Sequence, residues 1–212
     1  ATSPTAPTKT GYTFAGWYSD IGLTNSFAFT TAITADTTLY AKWTINNYTV
    51  SFNSNGGSAV TSQSVAYNTT ATEPTAPTRT GYTFSGWYSD SGLTTSFAFT
   101  TAITADITLY AKWTVNNYTV SFNSNGGSAV TSQSVAYNTT ATSPTAPTKT
   151  GYTFAGWYKE AGLINAWNFA SDTVTADTTL YAKWTVNNYT VSFNSNGGSA
   201  VTSQSVAYNT TA

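Results

Sequence analysis

Apolar and polar residues alternate along this chain in short runs, which is the period of a β-strand with one buried face. Tyr48, Val50 and Phe52 form one such run, with threonine and serine between them. The pair Asn55-Gly56 follows and is a strong hairpin signal, because both residue types tolerate positive φ. The pattern therefore predicts a β-hairpin whose return strand lies within residues 60–67.

Two further strands are predicted downstream of this hairpin. The first runs from Tyr82 to Tyr88, and Gly86 within it indicates a bulge that re-aims Trp87. The last runs over residues 107–113, with alternate apolar residues on one face. The intervening segment 74–77 begins and ends with proline, which excludes a regular helix and favours extended chain.

The apolar phases of these strands predict the core. We expect Trp113, Leu109, Phe84 and Tyr67 to be largely buried. Trp17, Tyr18, Trp43 and their copies could instead form sugar-stacking platforms, but a domain this small needs large side chains in its core, so the core interpretation is favoured. The better candidates for surface aromatics lie opposite the tryptophan face of the last strand, at Tyr40, Tyr110 and Tyr181.

The whole pattern returns almost letter for letter. GYTFAGWYSD at Gly11 becomes GYTFSGWYSD at Gly81 and GYTFAGWYKE at Gly151. The copies are spaced 70 residues apart. Beyond Phe169 the third copy has one extra residue, so the spacing between the second and third copies becomes 71. Such a unit is longer than the roughly 20–50 residues of solenoid repeats and suits a small domain with its own core. The chain is therefore expected to form small tandem β domains in an elongated string.

Four repeats follow from this spacing. Repeat 1 is 1–43 and lacks its first hairpin, repeats 2 and 3 are complete at 48–113 and 118–184, and repeat 4 is 189–212 and holds the first hairpin only. The two ends are thus complementary halves of one unit. Linkers of about four residues, as at 114–117, are expected to hold neighbouring units semi-rigidly.

Composition narrows the chemistry. The 212 residues include no Cys, His or Met, so disulfides, thiolate chemistry and the commonest general base and metal ligand are excluded. Charged residues are 7%, against about 25% in ordinary domains, and the net charge is −1, which makes nucleic acid and anionic membranes poor partners. No apolar run approaches the ~20 residues of a membrane span. A weakly charged surface of hydroxyls and amides favours association and an extracellular location.

The few charged residues recur at fixed positions. One loop carries Asp20, Asp90 or Glu160, and another carries Asp36, Asp106 or Asp177. A single acid per loop suits turn capping better than catalysis or calcium binding, so no enzyme activity and no cofactor are predicted. The lysines of the last strand could form an isopeptide with asparagine, but edge lysines that discourage strand pairing are the favoured interpretation; they are Lys42, Lys112 and Lys183.

Glycosylation is a further possibility. N-x-T sequons recur at Asn47, Asn68, Asn117, Asn138, Asn188 and Asn209.

Three motifs together resemble the Listeria–Bacteroides repeat, also called the internalin B-repeat. They are YTVSFNSNGG, GYTFxGWY preceded by PTAPT, and TLYAKW, and the resemblance covers essentially the whole chain. The resemblance implies a small β-grasp-like domain with little helix, in secreted or wall-attached bacterial surface proteins. It implies no enzyme activity.

The sequence therefore predicts a structural stalk or filament subunit at the cell surface. The alternative is an adhesin whose repeats bind cell-wall or host glycan weakly, with avidity from repetition. An isolated hairpin is marginal in water, so repeat 4 is expected to pair with residues 11–43 of a neighbouring chain, head to tail. Lateral packing is the other mode of self-association. The residues expected to make the head-to-tail joint are Tyr189, Val191, Phe193, Val206 and Tyr208.

Overall fold

The computed structural model describes residues 2–211, and this part of the chain forms β-strands and no helix. Ala1 and Ala212, the outermost residues of repeats 1 and 4, lie outside the described residues. Two compact units divide the chain after Thr114. Unit 1 holds repeats 1 and 2, and unit 2 holds repeats 3 and 4. The predicted mainly β fold is confirmed.

Strand bounds follow the repeats. Repeat 1 contains β1 (Tyr12–Tyr18) and β2 (Tyr40–Ile45). Repeat 2 and its flanks contain β3 (Asn47–Asn53), β4 (Gln63–Ala66), β5 (Thr69–Thr70), β6 (Tyr82–Tyr88), β7 (Ala102–Ile103) and β8 (Ile107–Val115). Repeat 3 and its flanks contain β9 (Asn117–Asn123), β10 (Gln133–Ala136), β11 (Thr139–Thr140), β12 (Tyr152–Tyr158), β13 (Thr173–Val174) and β14 (Thr178–Val186). Repeat 4 contains β15 (Asn188–Val191) and β16 (Gln204–Ala207).

Each complete repeat is built on a four-stranded sheet. In unit 1 the order is β4-β3-β8-β6, and in unit 2 it is β10-β9-β14-β12. The hairpin strands pair antiparallel, whereas the two central strands are parallel, with Val50 opposite Ile107 and Phe52 opposite Leu109. This order is compatible with a β-grasp. The proline-bearing segment connects β5 to β6 without a helix, and Ser58 N donates to Thr78 O at 2.8 Å to hold its end.

The bulge predicted at Gly86, in the strand that the structure shows as β6, is confirmed by its copies in β1 and β12. Pairing shifts register between Phe14 and Gly16, and between Phe154 and Gly156. Gly86, at the same place in repeat 2, has φ +123°, a backbone conformation that a side chain would strain. The shift turns the next residue inward, so Trp87 is only 3% exposed.

The predicted core is confirmed at its centre, and its outer members are partly buried. Leu109 is fully buried, alongside Val50 and Ala111. Trp113, Phe84 and Tyr67 are only half-buried. Trp113 and Phe84 pack against this cluster, and Trp87, which alternation assigns to the opposite face, lies within it. The same inward-pointing residues build a second core in repeat 3, around Val120, Leu180 and Trp157.

Candidate functional site: the surfaces that join hairpins and repeats

The turn of the first hairpin locks onto the last strand of its own repeat. Trp113 Nε1 donates to Ser54 O at 2.8 Å, and Asn55 Nδ2 donates to Ala111 O at 2.7 Å. Gly57 lies against the indole, where an added Cβ would overlap the Trp113 ring. Repeat 3 repeats these contacts at Trp184, Asn125 and Gly127. The Asn-Gly-Gly turn therefore serves as a docking element as well as a hairpin turn.

A cation closes the same turn from the other side. Arg79 Nη1 donates to Asn55 O at 3.1 Å, and its guanidinium lies 3.9 Å from the centre of the Tyr82 ring. In repeat 3, Lys149 Nζ donates to Asn125 O at 2.9 Å. Arg79 and Lys149 each donate to the carbonyl oxygen of the turn asparagine. Either cation can make this bond, so Arg and Lys can replace each other at this position.

The second recurring acid holds the hairpin at its other end. Asp106 Oδ1 accepts a hydrogen bond from Thr49 N at 2.7 Å, and Asp177 Oδ1 does the same for Thr119 N at 2.8 Å. These acids were expected to cap their own turns. That expectation is wrong, because each carboxylate reaches across to the first strand of the hairpin, next to the start of the parallel pair.

The first recurring acid does cap its own loop, as predicted. Asp20 accepts hydrogen bonds from Thr24 N at 3.0 Å and Asn25 N at 2.7 Å. The amide hydrogen bond from Thr24, followed by that from Asn25, holds the Asp20 pKa below its usual value. The amides of Thr95 and then Thr94 lower the Asp90 pKa in the same way. Glu160 caps the equivalent loop of repeat 3 through Asn165 N at 2.7 Å.

Two of the three lysines of the last strand do not lie on a sheet edge. β8 and β14 are inner strands of their sheets, so the expectation of edge protection is wrong for Lys112 and Lys183, whereas Lys42 lies on β2 of the two-stranded sheet of repeat 1. Each lysine is half-buried with its Nζ 4.7–4.8 Å from a tyrosine ring centre, at Tyr18, Tyr88 and Tyr158. Lys42 Nζ also donates to Leu23 O at 3.3 Å. This arrangement ties the capped loop to the sheet.

A second joint, within unit 1, connects repeat 1 to the hairpin of repeat 2. Asn46 stands between β2 and β3, where its N donates to Gly11 O at 2.9 Å and its O accepts from Tyr67 N at 2.8 Å. Its side-chain Oδ1 accepts from Thr13 Oγ1 at 2.6 Å. Backbone and side chain of one residue therefore connect the repeat upstream to the hairpin downstream.

Aromatic packing covers this joint. The Tyr67 ring lies directly over Gly11, which is buried at φ +77° and where an added Cβ would overlap the ring. The Tyr67 ring centre is 6.4 Å from that of Tyr12 and 6.3 Å from that of Tyr48. We call this arrangement the glycine–tyrosine joint. Unit 2 has a second copy of it, made by Gly151, Thr153, Asn187 and Tyr208.

Sequence reasoning missed this joint. Gly11 and Tyr67 belong to different repeats, so no local pattern links them. The only signal was the presence of glycine before a strand that begins with Tyr-Thr, which reads equally as a turn.

The two half-repeats expose faces that are covered in complete repeats. Ile33 is 49% exposed, whereas Ile103 at the same position of repeat 2 is 3% exposed. Trp17 and Leu39 are half-buried, whereas their counterparts Trp87 and Leu109 are buried. We call this surface of repeat 1 the open face.

The predicted self-association residues divide into two groups. Val191, Val206, Tyr189 and Phe193 are half-buried or exposed, with Tyr189 at 53% and Phe193 at 45%. Tyr208 already lies over Gly151 in the glycine–tyrosine joint of unit 2. It holds its own hairpin against repeat 3, and its assignment to contacts between chains stays untested.

The remaining candidates are surface features. All six sequon asparagines are exposed, and Asn68, Asn138 and Asn209 adopt positive φ, so their modification stays a prediction. Tyr40, Tyr110 and Tyr181 are half-buried. Within residues 2–211 no group of three or more acidic side chains converges as a metal site would require, and that same part contains no helix with the length and apolarity of a membrane span.

The fold and its joints define a class of protein: tandem all-β repeats, each built by docking a hairpin onto a two-strand half. The chain belongs to the Listeria-Bacteroides repeat domain family, whose model matches residues 1–42, 48–112, 118–183 and 189–212. The resemblance seen in the motifs is thereby confirmed. This family is a repeat domain of surface proteins such as internalins.

Three relatives show the context of the repeat. A protein of Evansella cellulosilytica provisionally named a Gly-rich membrane protein is 49% identical over 94% of this chain and 23% of its own length. A second protein of that organism, provisionally named a membrane protein, is 45% identical over 97% of this chain and 32% of its own length. Internalin H of Listeria monocytogenes is 47% identical over 54% of this chain and 21% of its own length. The chain thus spans about a third or less of the relatives it matches.

Proposed function

We propose that this chain is a structural tandem-repeat element of an extracellular bacterial surface protein: a non-enzymatic stalk or filament subunit that joins copies head to tail. The observation that carries this proposal is the glycine–tyrosine joint. A spacer must fix the orientation of one repeat relative to the next, and within each unit this joint makes the contact between its two repeats specific.

The joint leaves the chain little freedom. Only Asn46 separates β2 from β3, and Asn46 takes part in hydrogen bonds to Gly11, Tyr67 and Thr13. A flexible tether would need a longer linker rich in glycine or serine. The Tyr67 ring also packs directly against Gly11, so bending at this joint would break that contact.

The surface chemistry supports the same role. With charged residues at 7% and net charge −1, the chain offers hydroxyls and amides in place of strong electrostatic steering. The recurring carboxylates and cations are engaged in holding turns and hairpins. The family and the names of the relatives support a location at the cell surface.

The rigidity of the joint can be tested by spin labelling, because the chain has no cysteine of its own. Labels at Thr38→Cys in repeat 1 and Thr61→Cys in repeat 2 occupy exposed positions on either side of the unit 1 joint. We expect a narrow distance distribution by pulsed electron paramagnetic resonance. It should broaden in Tyr67→Ala, which removes the ring over Gly11, and stay narrow in Tyr67→Phe, which keeps it.

A broad distance distribution in the labelled chain that retains Tyr67 would contradict the spacer role. Binding of the chain to cell-wall or host glycan on an array, with affinity that rises with the number of repeats, would instead identify the adhesin.

A further inference from the structure

We propose that each complete repeat is a load-bearing unit, in which tension along the chain is resisted by shear between the first and the last strand. The proposal rests on the stalk role and adds a mechanical property to it. The repeat resists force strongly in one direction, the direction in which a stalk is pulled.

The chain enters and leaves a complete repeat through two strands that lie side by side. Repeat 2 begins with β3 and ends with β8, and these strands are parallel neighbours in the middle of the sheet. Tension pulls the start of β3 backward and the end of β8 forward. Because the two strands run in the same direction, this pull slides one strand along the other and does not open them from one end.

Sliding loads the contacts between the two strands together. Four successive positions are paired, from Val50 opposite Ile107 to Asn53 opposite Tyr110. Parallel pairing spaces its hydrogen bonds evenly, so a sliding load is shared among them. Val50 and Leu109 are completely buried, so sliding would also pull apolar side chains out of the core.

Three side-chain hydrogen bonds extend this boundary beyond the paired residues. On one side, Thr49 N donates to Asp106 Oδ1 at 2.7 Å. On the other side, Asn55 Nδ2 and Trp113 Nε1 donate to backbone carbonyl oxygens across the boundary at 2.7 and 2.8 Å. All three bonds connect the first hairpin to residues 106–113, so β3 cannot slide without breaking them.

Repeat 3 has the same boundary. β9 and β14 are parallel neighbours, paired over four positions that begin with Val120 opposite Thr178. The three side-chain bonds recur at 2.7–2.8 Å. The loop between β12 and β13, which lies outside the boundary, has an extra residue and carries an ion pair between Lys159 and Asp172. The two complete repeats therefore differ in this loop and agree along the path of the load.

Pulling repeat 2 in two directions tests the proposal. The chain has no cysteine, so DNA handles can be attached to pairs of introduced thiols in the full chain. Asn47→Cys with Thr114→Cys places the handles at exposed positions at the start of β3 and near the end of β8. Thr49→Cys with Ala105→Cys is the matched control, because both exposed positions lie at the same end of the parallel pair. Pulling there peels the strands apart one contact after another.

We expect a severalfold higher unfolding force in optical tweezers for the sliding pair than for the peeling pair, at the same loading rate. Forced unfolding follows the barrier along the pulled direction, so one folded repeat can give two different forces. Full extension between the sliding handles, about 230 Å, identifies the event as repeat 2. Equal forces in the two directions, or a higher force for peeling, would overturn the load-bearing repeat.

The variant Trp113→Phe separates a shared load from general stability. The bond from Trp113 to Ser54 lies at the far end of the boundary from the peeling handles, so it carries load only when the strands slide. Trp113→Phe should lower the sliding force and leave the peeling force unchanged. Asp90→Ala, in a loop outside the boundary, should change neither force. A Trp113→Phe chain whose two forces fall by the same factor would show general destabilisation and contradict the shared load.

The spin-label distances keep this proposal separate from the spacer role. Narrow distances together with equal forces in the two directions would leave a rigid spacer and overturn the load-bearing repeat. Broad distances together with a severalfold higher sliding force would overturn the rigid spacer and support the load-bearing repeat.

Discussion

In unit 1, two glycines are required because aromatic rings lie directly against them. Gly11 lies beneath Tyr67 at the boundary of two repeats, and Gly57 lies beneath Trp113 inside one repeat. At Gly57 the backbone does not adopt positive φ, so the requirement for glycine comes from space alone. A side chain there would have to displace an indole that is also hydrogen-bonded to Ser54.

Substituting Gly57 by alanine isolates this steric effect. Gly57→Ala should destabilise repeat 2 by about 1–3 kcal/mol, the usual cost of overpacking a fixed site. Gly198→Ala is the matched control, because it sits in the same turn of repeat 4, where the neighbouring atoms belong to Ser195 and no indole covers it. Hydrogen exchange of β3 and β8 amides measures the difference. Equal protection in the two variants would show that the indole moves aside freely.

The capping carboxylates predict how stability depends on pH. Amide hydrogen bonds lower the pKa of Asp20 and Asp90, and the amide of Asn168, followed by Lys159, lowers that of Asp172. A carboxyl with a lower pKa when folded stabilises the fold fully above its unfolded value of 3.8 and loses that contribution as pH falls through the folded pKa. Melting temperature should therefore be flat from about pH 5 to 8, since no side chain has an ordinary pKa there, and fall below about pH 4.

The variant Asp90→Asn should reduce that acid-induced drop in melting temperature. A large change of melting temperature between pH 5 and 8 would contradict the expectation.

Among the strands of repeat 2, β6 carries the most informative side chain, Trp87. The bulge at Gly86 turns Trp87 into the core, where its ring centre is 4.9 Å from that of Phe52 on the docked hairpin. In repeat 1, where no hairpin is docked, Trp17 is half-buried. Burial of this tryptophan thus reports whether the hairpin is in place.

Removing Trp87 should therefore cost more than removing the hydrogen bond of Trp113. Trp87→Ala should destabilise repeat 2 by about 3–5 kcal/mol, whereas Trp113→Phe, which keeps a ring but loses the bond to Ser54 O, should cost about 0.5–1.5 kcal/mol. Chemical denaturation followed by hydrogen exchange in β8 measures both. The reverse order would show that the turn lock, rather than the core, dominates hairpin docking.

Much of each element was predictable from the sequence, because strand alternation and Asn-Gly turns are local signals. The bulge at Gly86 was predictable for the same reason. Its consequence for the core was not, because the inward turn of Trp87 adds a buried ring that alternation alone assigns to the opposite face. The inner position of β8, which overturned the edge-lysine expectation, depends on sheet order and has no local signal.

At the scale of the whole molecule, the repeats were the easiest feature to predict from the sequence, and the joints between them were the hardest. Near-identity of the copies revealed the repeats and the family. It could not reveal that Asp106 reaches Thr49, or that Tyr67 covers Gly11, because both contacts link residues more than 50 positions apart in the chain. Long-range pairs of this kind need the sheet order before they can be inferred.

The single residue between β2 and β3 also protects the chain while it folds. Nearly identical neighbours invite misassembly, since the hairpin of repeat 2 could in principle be captured by repeat 1, which is synthesised first. Capture would require Val50 to lie opposite Thr37, about 26 Å back along an extended segment 37–45. The chain from Ile45 to Val50 reaches at most about 18 Å. The short connection therefore makes the wrong partner unreachable within the chain, so repeats can stay almost identical without becoming entangled with their upstream neighbours.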